Sequence, residues 1–249
     1  MRLIGFSTGA LAYSDFQFGL RILMNSHAKA IELSALRENE ISPLVHSLSS
    51  LNLASFKYIS VHAPSKYDPL RESELIVLLK QVAKRNWPII VHPDAIQNFA
   101  AWRVFADLLF IENMDKRNLM GRTAHELSGI FQKLPEARLC FDLGHCRQVD
   151  PTMNESYLIL QQFGARLGQL HVSEVNSRST HDPLSDSSVS AFEKIASLIP
   201  ENVPVILESP VPPEKVQFEL KRARLALPIT PSGNGNRKRE TQRLQTAFV

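Results

Sequence analysis

Residues 108–115 read LLFIENMD, four apolar residues followed by a glutamate, an amide, a methionine and an aspartate. The run is apolar at consecutive positions rather than at alternating ones, which is typical of a parallel strand that is covered on both faces. Glu112 stands where such a strand would end. The same arrangement, a short apolar run that ends at a carboxylate or a histidine, recurs along the chain and decides the fold.

Eight apolar runs rich in Ile, Val, Leu or Phe are spaced along the chain before residue 228. We interpret them as strands: Leu3–Phe6, Ala30–Leu33, Tyr58–Val61, Pro88–Val91, Leu108–Ile111, Leu139–Phe141, Leu167–Val172 and Pro204–Leu207. Stretches with helical patterning lie between them. Thr123 and Glu126 have the spacing of a helix capping box, and Ser190 and Glu193 repeat it.

The alternation of strand and helix predicts an α/β fold. Eight units in the first 227 residues give about 28 residues per unit, which favours a single (β/α)₈ TIM barrel. A doubly wound open sheet is the main alternative. It is disfavoured because no GxGxxG motif follows the first run and because eight units are many for that architecture.

The chain is expected to divide into a barrel, residues 1–227, and a flexible linker with a basic tail, residues 228–249, which read PITPSGNGNRKRETQRLQTAFV. Residues 234–249 contain four basic residues and one acidic residue, so the whole net charge of +3 belongs to the tail. The neutral remainder argues against duplex DNA as a partner, because DNA binding needs many basic contacts. The tail could contact an anionic partner.

Composition favours a cytoplasmic protein that binds no membrane. No apolar run reaches the length of a membrane span, and the N-terminal segment lacks the apolar centre of a secretory signal. Cys140 and Cys146 are too few for a disulfide framework, and we expect both thiols to be buried.

Eight potential metal ligands stand at or just beyond the predicted strand ends. They are His62, His92, Glu112, Asp142, His145, His171, His181 and Glu208. In a TIM barrel these ends meet at one rim, where the carboxylates would repel one another unless a cation lay among them. Mixed imidazole and carboxylate ligands suit zinc, manganese or iron. We therefore expect two or three divalent ions and no organic cofactor.

Four further residues are expected to contact a small-molecule substrate. Glu32 stands at the C-terminal end of the second strand, just before Leu33, and Lys66 follows His62 on a loop that could cover the site. Glu174 and Arg178 lie in the segment HVSEVNSR, residues 171–178, after the seventh run.

These motifs resemble the xylose-isomerase-like TIM-barrel superfamily, which includes endonuclease IV and the sugar isomerases and epimerases. The resemblance extends from residue 1 to about residue 225 and implies a metal site at the rim. The residues shared most widely in the superfamily match Glu112, Asp142, His171 and Glu208. In the epimerase branch such residues hold one metal, and the two glutamates, Glu112 and Glu208, also move protons.

The endonuclease IV branch implies more ligands, which match His62, His92, His145 and His181 here. Its remaining ligand, an aspartate, is replaced by Ser179, which puts a third metal site in question; Asp182 or Glu174 could substitute. Two short elements after the seventh run do not decide between the branches. HVSEVNSR resembles a stretch of some ketose epimerases, whereas HDPL, residues 181–184, resembles an element that is common in the whole superfamily.

Three functions remain open at the level of the sequence. The first is a hydrolase of phosphoester type with two or three metals, acting on a small polar, sugar-like or phosphorylated substrate, and it is slightly favoured. The second is a one-metal isomerase or epimerase of a sugar or sugar phosphate. The third is a metal-binding barrel without catalysis.

Overall fold

The computed structural model describes residues 2–13 and 15–229, in which eight parallel strands close into a barrel. These strands are β1 (Ile4–Ser7), β2 (Ala30–Ser34), β3 (Tyr58–His62), β4 (Ile89–Val91), β5 (Leu109–Glu112), β6 (Arg138–Asp142), β7 (Leu167–Val172) and β10 (Val205–Leu207). The pairing order around the barrel is β1-β10-β7-β6-β5-β4-β3-β2. The predicted TIM barrel is confirmed, and each predicted run overlaps one barrel strand.

Helices follow the strands and cover the barrel. The described residues contain α1 (Thr8–Ala12), α2 (Phe16–Met24), α3 (Glu38–Ser47), α4 (Glu72–Ala83), α5 (Phe99–Trp102), α6 (Ala124–Lys133), α7 (Leu143–Val149), α8 (Asn154–Phe163), α9 (Asp186–Glu193) and α10 (Val216–Ala226). A short antiparallel pair, β8 (Glu174–Val175) and β9 (His181–Asp182), lies in the segment after β7. No helix of the described residues is both long and apolar enough to cross a membrane.

One predicted helix start is confirmed and one is wrong. The Thr123 side chain accepts a hydrogen bond from the Glu126 backbone N–H and caps α6, as predicted. Helix α9, in contrast, begins at Asp186, because Ser185 rather than Ser190 caps it by accepting from the Ser188 N–H. The earlier serine ends the loop after β9, so the helix begins before the predicted capping position is reached.

The side chains of each strand alternate between two environments. Ile89, Ile111 and Phe141 belong to the large apolar core that surrounds the barrel, whereas Ile90 and Phe110 belong, with Cys140, to a small separate cluster. Because alternate residues face opposite sides of a strand, this small cluster lies inside the barrel. Residues two positions further along each strand face the same interior, closer to the C-terminal rim.

Two local features hold the barrel and its loops in place. Gly5 is required on β1, since a Cβ there would lie 1.6 Å from the Ala30 carbonyl oxygen on β2. Glu72, at the start of α4, is buried and accepts hydrogen bonds from Trp102 Nε1 and from the backbone N–H groups of Gln97 and Asn98. Burial opposes ionisation of Glu72, but these hydrogen bonds outweigh it and lower its pKa. Glu72 thus ties the segment after β4 to the helical layer.

Helix α10 ends at Ala226, and Pro228 and Ile229 follow it at the end of the described residues. The predicted basic tail therefore lies outside the described residues from residue 230 onward. Both cysteines are buried and carry free thiols, as predicted.

Candidate metal centre

The C-terminal rim of the barrel brings together the eight predicted metal ligands, which we call the rim cluster: His62, His92, Glu112, Asp142, His145, His171, His181 and Glu208. His62, Glu112 and Asp142 are the last residues of their strands, and His92 and Glu208 directly follow theirs. Glu112 and Asp142 each lie two positions beyond a residue of the interior cluster, Phe110 and Cys140 respectively. Because alternate residues of a strand face the same side, the side chains at these strand ends point into the mouth of the barrel.

Glu112 is the carboxylate at the centre of the rim cluster and is 1% exposed. Its Oε2 atom lies 3.1 Å from His62 Nε2, 3.4 Å from His92 Nε2 and 3.4 Å from His171 Nδ1. Its Oε1 atom lies 3.3 Å from His145 Nδ1. One buried carboxylate is thus shared among four imidazoles that come from different elements.

Three groups of potential ligand atoms lie within the rim cluster, and in each group all the atoms are within 4.8 Å of one another. The groups are His62 with His92 and Glu112; Glu112 with Asp142, His171 and Glu208; and Asp142 with His145 and His181. Glu112 belongs to the first two groups and Asp142 to the last two. The geometry therefore connects the three groups into one chain of candidate cation positions.

Two buried atoms show that a cation fits this arrangement. Asp142 Oδ2 and His171 Nδ1 are inaccessible to solvent and have no hydrogen-bond partner in the part of the chain that the structure describes. A buried polar atom without a partner costs about 1–3 kcal/mol. Both atoms belong to the central group, so a divalent ion there would satisfy them. The combination of imidazole nitrogens and carboxylate oxygens suits zinc, manganese or iron.

The protonation of the carboxylates reflects their crowding. Burial raises the pKa of Glu208 to about 8, and the negative charges of Glu112 and Asp142 act in the same direction, against the charge of His171. Burial also opposes ionisation of Glu112, but the charges of His171 and His92 outweigh it and lower the pKa of Glu112 well below its usual range. In the protein without a cation, Glu112 therefore holds its negative charge more readily than Glu208 does.

The histidines respond in the opposite direction. Burial disfavours the charged form of His62, but the hydrogen bond to Glu112 and the charges of Glu32 and Glu112 outweigh it and raise its pKa to about 9. Burial likewise opposes protonation of His145, yet the charge of Asp142 and the hydrogen bond to Glu112 raise its pKa to about 10. Protons thus neutralise the cluster when no cation is present, and cation binding would displace them.

Backbone carbonyls orient two of the imidazoles. His62 Nδ1 lies 2.7 Å from the Ala63 carbonyl oxygen, and His145 Nδ1 lies 3.0 Å from the Asn113 carbonyl oxygen. Because a carbonyl only accepts, each ring carries its N–H at Nδ1 toward that oxygen. In His62, Nε2 is then the atom left to bind a cation, and it faces Glu112 Oε2 at 3.1 Å. In His145, the same Nδ1 atom also lies 3.3 Å from Glu112 Oε1.

Sequence reasoning missed the residues that support the ligands. Asn113 is fully buried; its Oδ1 accepts from the Asp142 N–H at 2.7 Å and its Nδ2 donates to the Asp142 carbonyl at 2.9 Å. Ser173 Oγ lies 2.7 Å from His181 Nδ1. Asn113 directly follows Glu112 and Ser173 stands two residues after His171, so proximity to a ligand was the only signal in the sequence.

A cavity of about 700 Å³ opens above the rim cluster. His62, His92, Glu112, His145, His181 and Glu208 form its floor and walls. Lys66 and Arg117 line the cavity as well, together with polar residues such as Asn118 and Thr180. The Arg117 guanidinium is held 2.8 Å from the Asp115 carboxylate. The cavity therefore combines a candidate metal floor with cationic and hydrogen-bonding side chains.

The predicted substrate contacts occupy different positions. Lys66 lines the cavity, but Glu32 lies beneath the rim cluster, because β2 continues to Ser34 and places Glu32 one inward-facing layer deeper. Glu174 is paired with Arg147 at 3.0 Å. Arg178 is exposed in the turn between β8 and β9. Among the described residues that line the cavity, Glu32, Glu174 and Arg178 are absent.

The residues proposed around the third group are also engaged elsewhere. The Ser179 hydroxyl accepts from Gln148 Nε2 at 2.7 Å, and Asp182 accepts from Asn176 Nδ2 at 2.8 Å. Because Glu174 is paired with Arg147, the third group consists of Asp142, His145 and His181 alone within the described residues.

No protein-family model matches the chain, and no curated protein matches it in sequence. Solved structures do match. Endonuclease IV from Thermus thermophilus matches with a TM-score of 0.59 and 15% identity, over 90% of this chain and 98% of that chain.

Two further structures match over similar lengths. A xylose isomerase domain protein from Alicyclobacillus acidocaldarius has a TM-score of 0.64 and 11% identity, over 91% of this chain and 98% of that one. The 3-keto-D-glucoside 4-epimerase from E. coli has a TM-score of 0.56 and 13% identity, over 91% and 99%. At such identities the likeness establishes the fold. The chain thus has the TIM-barrel fold of these solved structures, which is the fold that the sequence motifs predicted.

Proposed function

We propose that the protein is a divalent-metal-dependent hydrolase that cleaves a phosphoester-type bond in a small polar or phosphorylated substrate. The observation that carries the proposal is the sharing of ligands: Glu112 and Asp142 each belong to two of the three ligand groups. A single ion would require only one group. Shared carboxylates are the usual way in which neighbouring cations are held a few ångströms apart.

The chain offers two complete positions for cations. His62, His92 and Glu112 would hold one ion, and Asp142, His171 and Glu208, with Glu112 between the two positions, would hold the other. When bound, such a pair lowers the pKa of a coordinated water and neutralises the charge that develops on a phosphoryl group. The third group has fewer donors and would bind a further ion more weakly or contact the substrate.

The side chains around the cavity have separate tasks in this proposal. Lys66 and Arg117 supply positive charge for a phosphate or carboxylate of the substrate, and Asp115 holds Arg117 in place. Glu208 is 13% exposed at the cavity wall. We assign it the exchange of a proton with the substrate, in addition to its part in the central group. The buried Glu112 then serves mainly as the bridging carboxylate.

The size of the cavity supports a small substrate. Pockets of about 300–1,000 Å³ are typical of small-molecule sites, and this cavity has about 700 Å³. Duplex DNA would need an extended basic surface, whereas the first 233 residues are electrically neutral. The endonuclease IV likeness therefore informs the proposed chemistry more than the proposed substrate.

A one-metal sugar epimerase or isomerase is the second candidate. The observation in its favour is that Glu112, Asp142, His171 and Glu208 form a complete group of four without the other ligands. Glu112 and Glu208 would then move protons on the substrate, as the resemblance to the epimerase branch implies. This candidate leaves His62 and His92 without a necessary role, which is where the two functions differ.

Hydrolysis of p-nitrophenyl phosphate and bis(p-nitrophenyl) phosphate by the zinc- or manganese-loaded protein tests the proposal. We expect nitrophenol release that a chelator abolishes and that His92→Ala lowers by at least about 10- to 100-fold, because loss of a ligand should cost at least as much as loss of its supporting partner. His125→Ala, an exposed histidine on α6, is the matched control and should retain activity. Metal-dependent epimerisation without hydrolysis, unchanged in His92→Ala, would favour the second candidate instead.

A further inference from the structure

A buried carboxylate that the proposed function does not use lies directly beneath the rim cluster. Glu32, on β2, is fully buried, and its Oε2 atom accepts from Ser60 Oγ at 3.1 Å and from Gln169 Nε2 at 2.7 Å. The same oxygen lies 3.1 Å from His171 Nε2 on β7, which is three strands away around the barrel. Glu32 thus connects β2, β3 and β7 inside the barrel.

The orientation of Gln169 is fixed from below. The Tyr58 hydroxyl donates to Gln169 Oε1 at 2.7 Å, which leaves the amide nitrogen of Gln169 to donate to Glu32. The amide nitrogen also lies 2.9 Å from His171 Nε2. Two arrangements are therefore conceivable at His171 Nε2: a ring N–H that donates to Glu32, or a lone pair that accepts from Gln169.

The charge of Glu32 decides between them. A lone pair on His171 Nε2 would face the Glu32 carboxylate at 3.1 Å, and two acceptors at that distance repel. A ring N–H at the same position makes a charge-assisted hydrogen bond instead. The other nitrogen, His171 Nδ1, then carries the free lone pair. That atom is buried without a hydrogen-bond partner among the described residues and lies 3.4 Å from Glu112 Oε2 and 3.6 Å from Glu208 Oε2.

We infer that Glu32 is a positioning residue that holds His171 with its proton on Nε2, so that Nδ1 is the atom that binds the central cation. The inference rests on the proposed function, because it assumes a cation in the group of Glu112, Asp142, His171 and Glu208. It replaces the prediction that Glu32 contacts the substrate. A carboxylate behind a ligating imidazole also makes that imidazole a stronger donor to the metal.

Glu32→Gln tests the inference through zinc affinity, measured by competition with a chromophoric chelator. The amide is similar in shape but lacks the charge, and its N–H group can donate to His171 Nε2 and favour the wrong tautomer. We expect one zinc ion to bind about 10- to 100-fold more weakly. Glu72→Gln is the matched control: it makes the same change at another buried, hydrogen-bonded glutamate that lies outside every ligand group, so its zinc affinity should stay close to that of the wild type.

The position of the proton can be measured directly in the zinc-loaded wild-type protein. Long-range ¹H–¹⁵N correlation spectra, with the His171 signals assigned by their loss in His171→Gln, should show the proton on Nε2 and zinc on Nδ1. This measurement decides the matter even if Glu32→Gln fails to fold. A proton on Nδ1, or full zinc affinity in a folded Glu32→Gln protein, would overturn the inference alone. A wild-type protein that binds no zinc would overturn the proposed function, and the inference with it.

Discussion

Replacing Glu112 by glutamine should disturb cation binding more than replacing any histidine of the rim cluster. The substitution keeps the shape of the side chain but removes the charge that lies within 3.4 Å of nitrogens of His62, His92, His145 and His171. Glu112 belongs to two ligand groups, whereas His92 belongs to one. We therefore expect Glu112→Gln to weaken two cation positions and His92→Ala to weaken one.

The expected size of the effect follows from linkage. An ion present at 100 times its dissociation constant stabilises the folded protein by about 2.7 kcal/mol. For a domain of this size each kcal/mol raises Tm by about 2–4 °C, so each ion should raise it by about 5–11 °C. Saturating zinc should thus raise the Tm of the wild type by about 10–20 °C, that of His92→Ala by about half as much, and that of Glu112→Gln by only a few degrees.

Differential scanning fluorimetry with and without zinc, together with elemental analysis of the same samples, measures both quantities. His125→Ala should behave as the wild type, because His125 is exposed on α6 and outside every ligand group. An undiminished zinc shift in Glu112→Gln would refute the bridging role of this carboxylate. Equal losses in Glu112→Gln and His92→Ala would show that the protein holds a single ion.

Three further predictions concern the scaffold. Glu72→Gln should lower the free energy of unfolding by about 1.5–3 kcal/mol. Because the pKa of Glu72 is lowered in the folded protein, the stabilisation by its carboxylate is complete above the unfolded-state pKa of about 4.3 and is lost as the pH falls through the folded-state pKa. The free energy of unfolding of the variant, measured in urea, should therefore depend less on pH in that acid range. Asn113→Ala should destabilise the protein by about 2–4 kcal/mol, since it leaves the Asp142 N–H and carbonyl groups without partners, and calorimetry that shows no change would contradict this account. Deleting residues 234–249 should leave the bound zinc per chain unchanged, because every member of the rim cluster precedes residue 209; loss of metal or of folding would show that the tail belongs to the barrel.

The barrel and the rim cluster could be predicted because both follow from local pattern. A parallel strand that is buried on both faces is apolar throughout, and in this fold the residue at its end points toward the site. Glu112, Asp142 and Glu208 were therefore recognisable as members of one site although they are far apart in sequence. The capping serine of α9 was missed because Ser185 and Ser190 both have acceptable spacing to a following polar residue, and only the geometry of the preceding loop selects the first.

Three of the four predicted substrate contacts were wrong, either because the side chain lies deeper in the barrel than predicted or because the surrounding structure turns it away from the cavity. Glu32 was assigned to a strand end, but β2 continues for two more residues, which moves its side chain about 6–7 Å deeper along the barrel. Glu174 and Arg178 stand beside ligands in sequence, yet β8 and β9 turn them away from the cavity. Glu174 pairs with Arg147 on α7, a contact that nothing in the local sequence indicates.

The most direct test of the shared-ligand centre is a crystal structure of the zinc-loaded protein with anomalous scattering recorded on both sides of the zinc absorption edge. We expect at least two zinc peaks: one bound by His62, His92 and Glu112, the other by Asp142, His171 Nδ1 and Glu208, each about 2.0–2.2 Å from its ligand atoms. A single peak in the central group would contradict the two-metal account and favour the epimerase candidate. The absence of any peak in the rim cluster would contradict both functions.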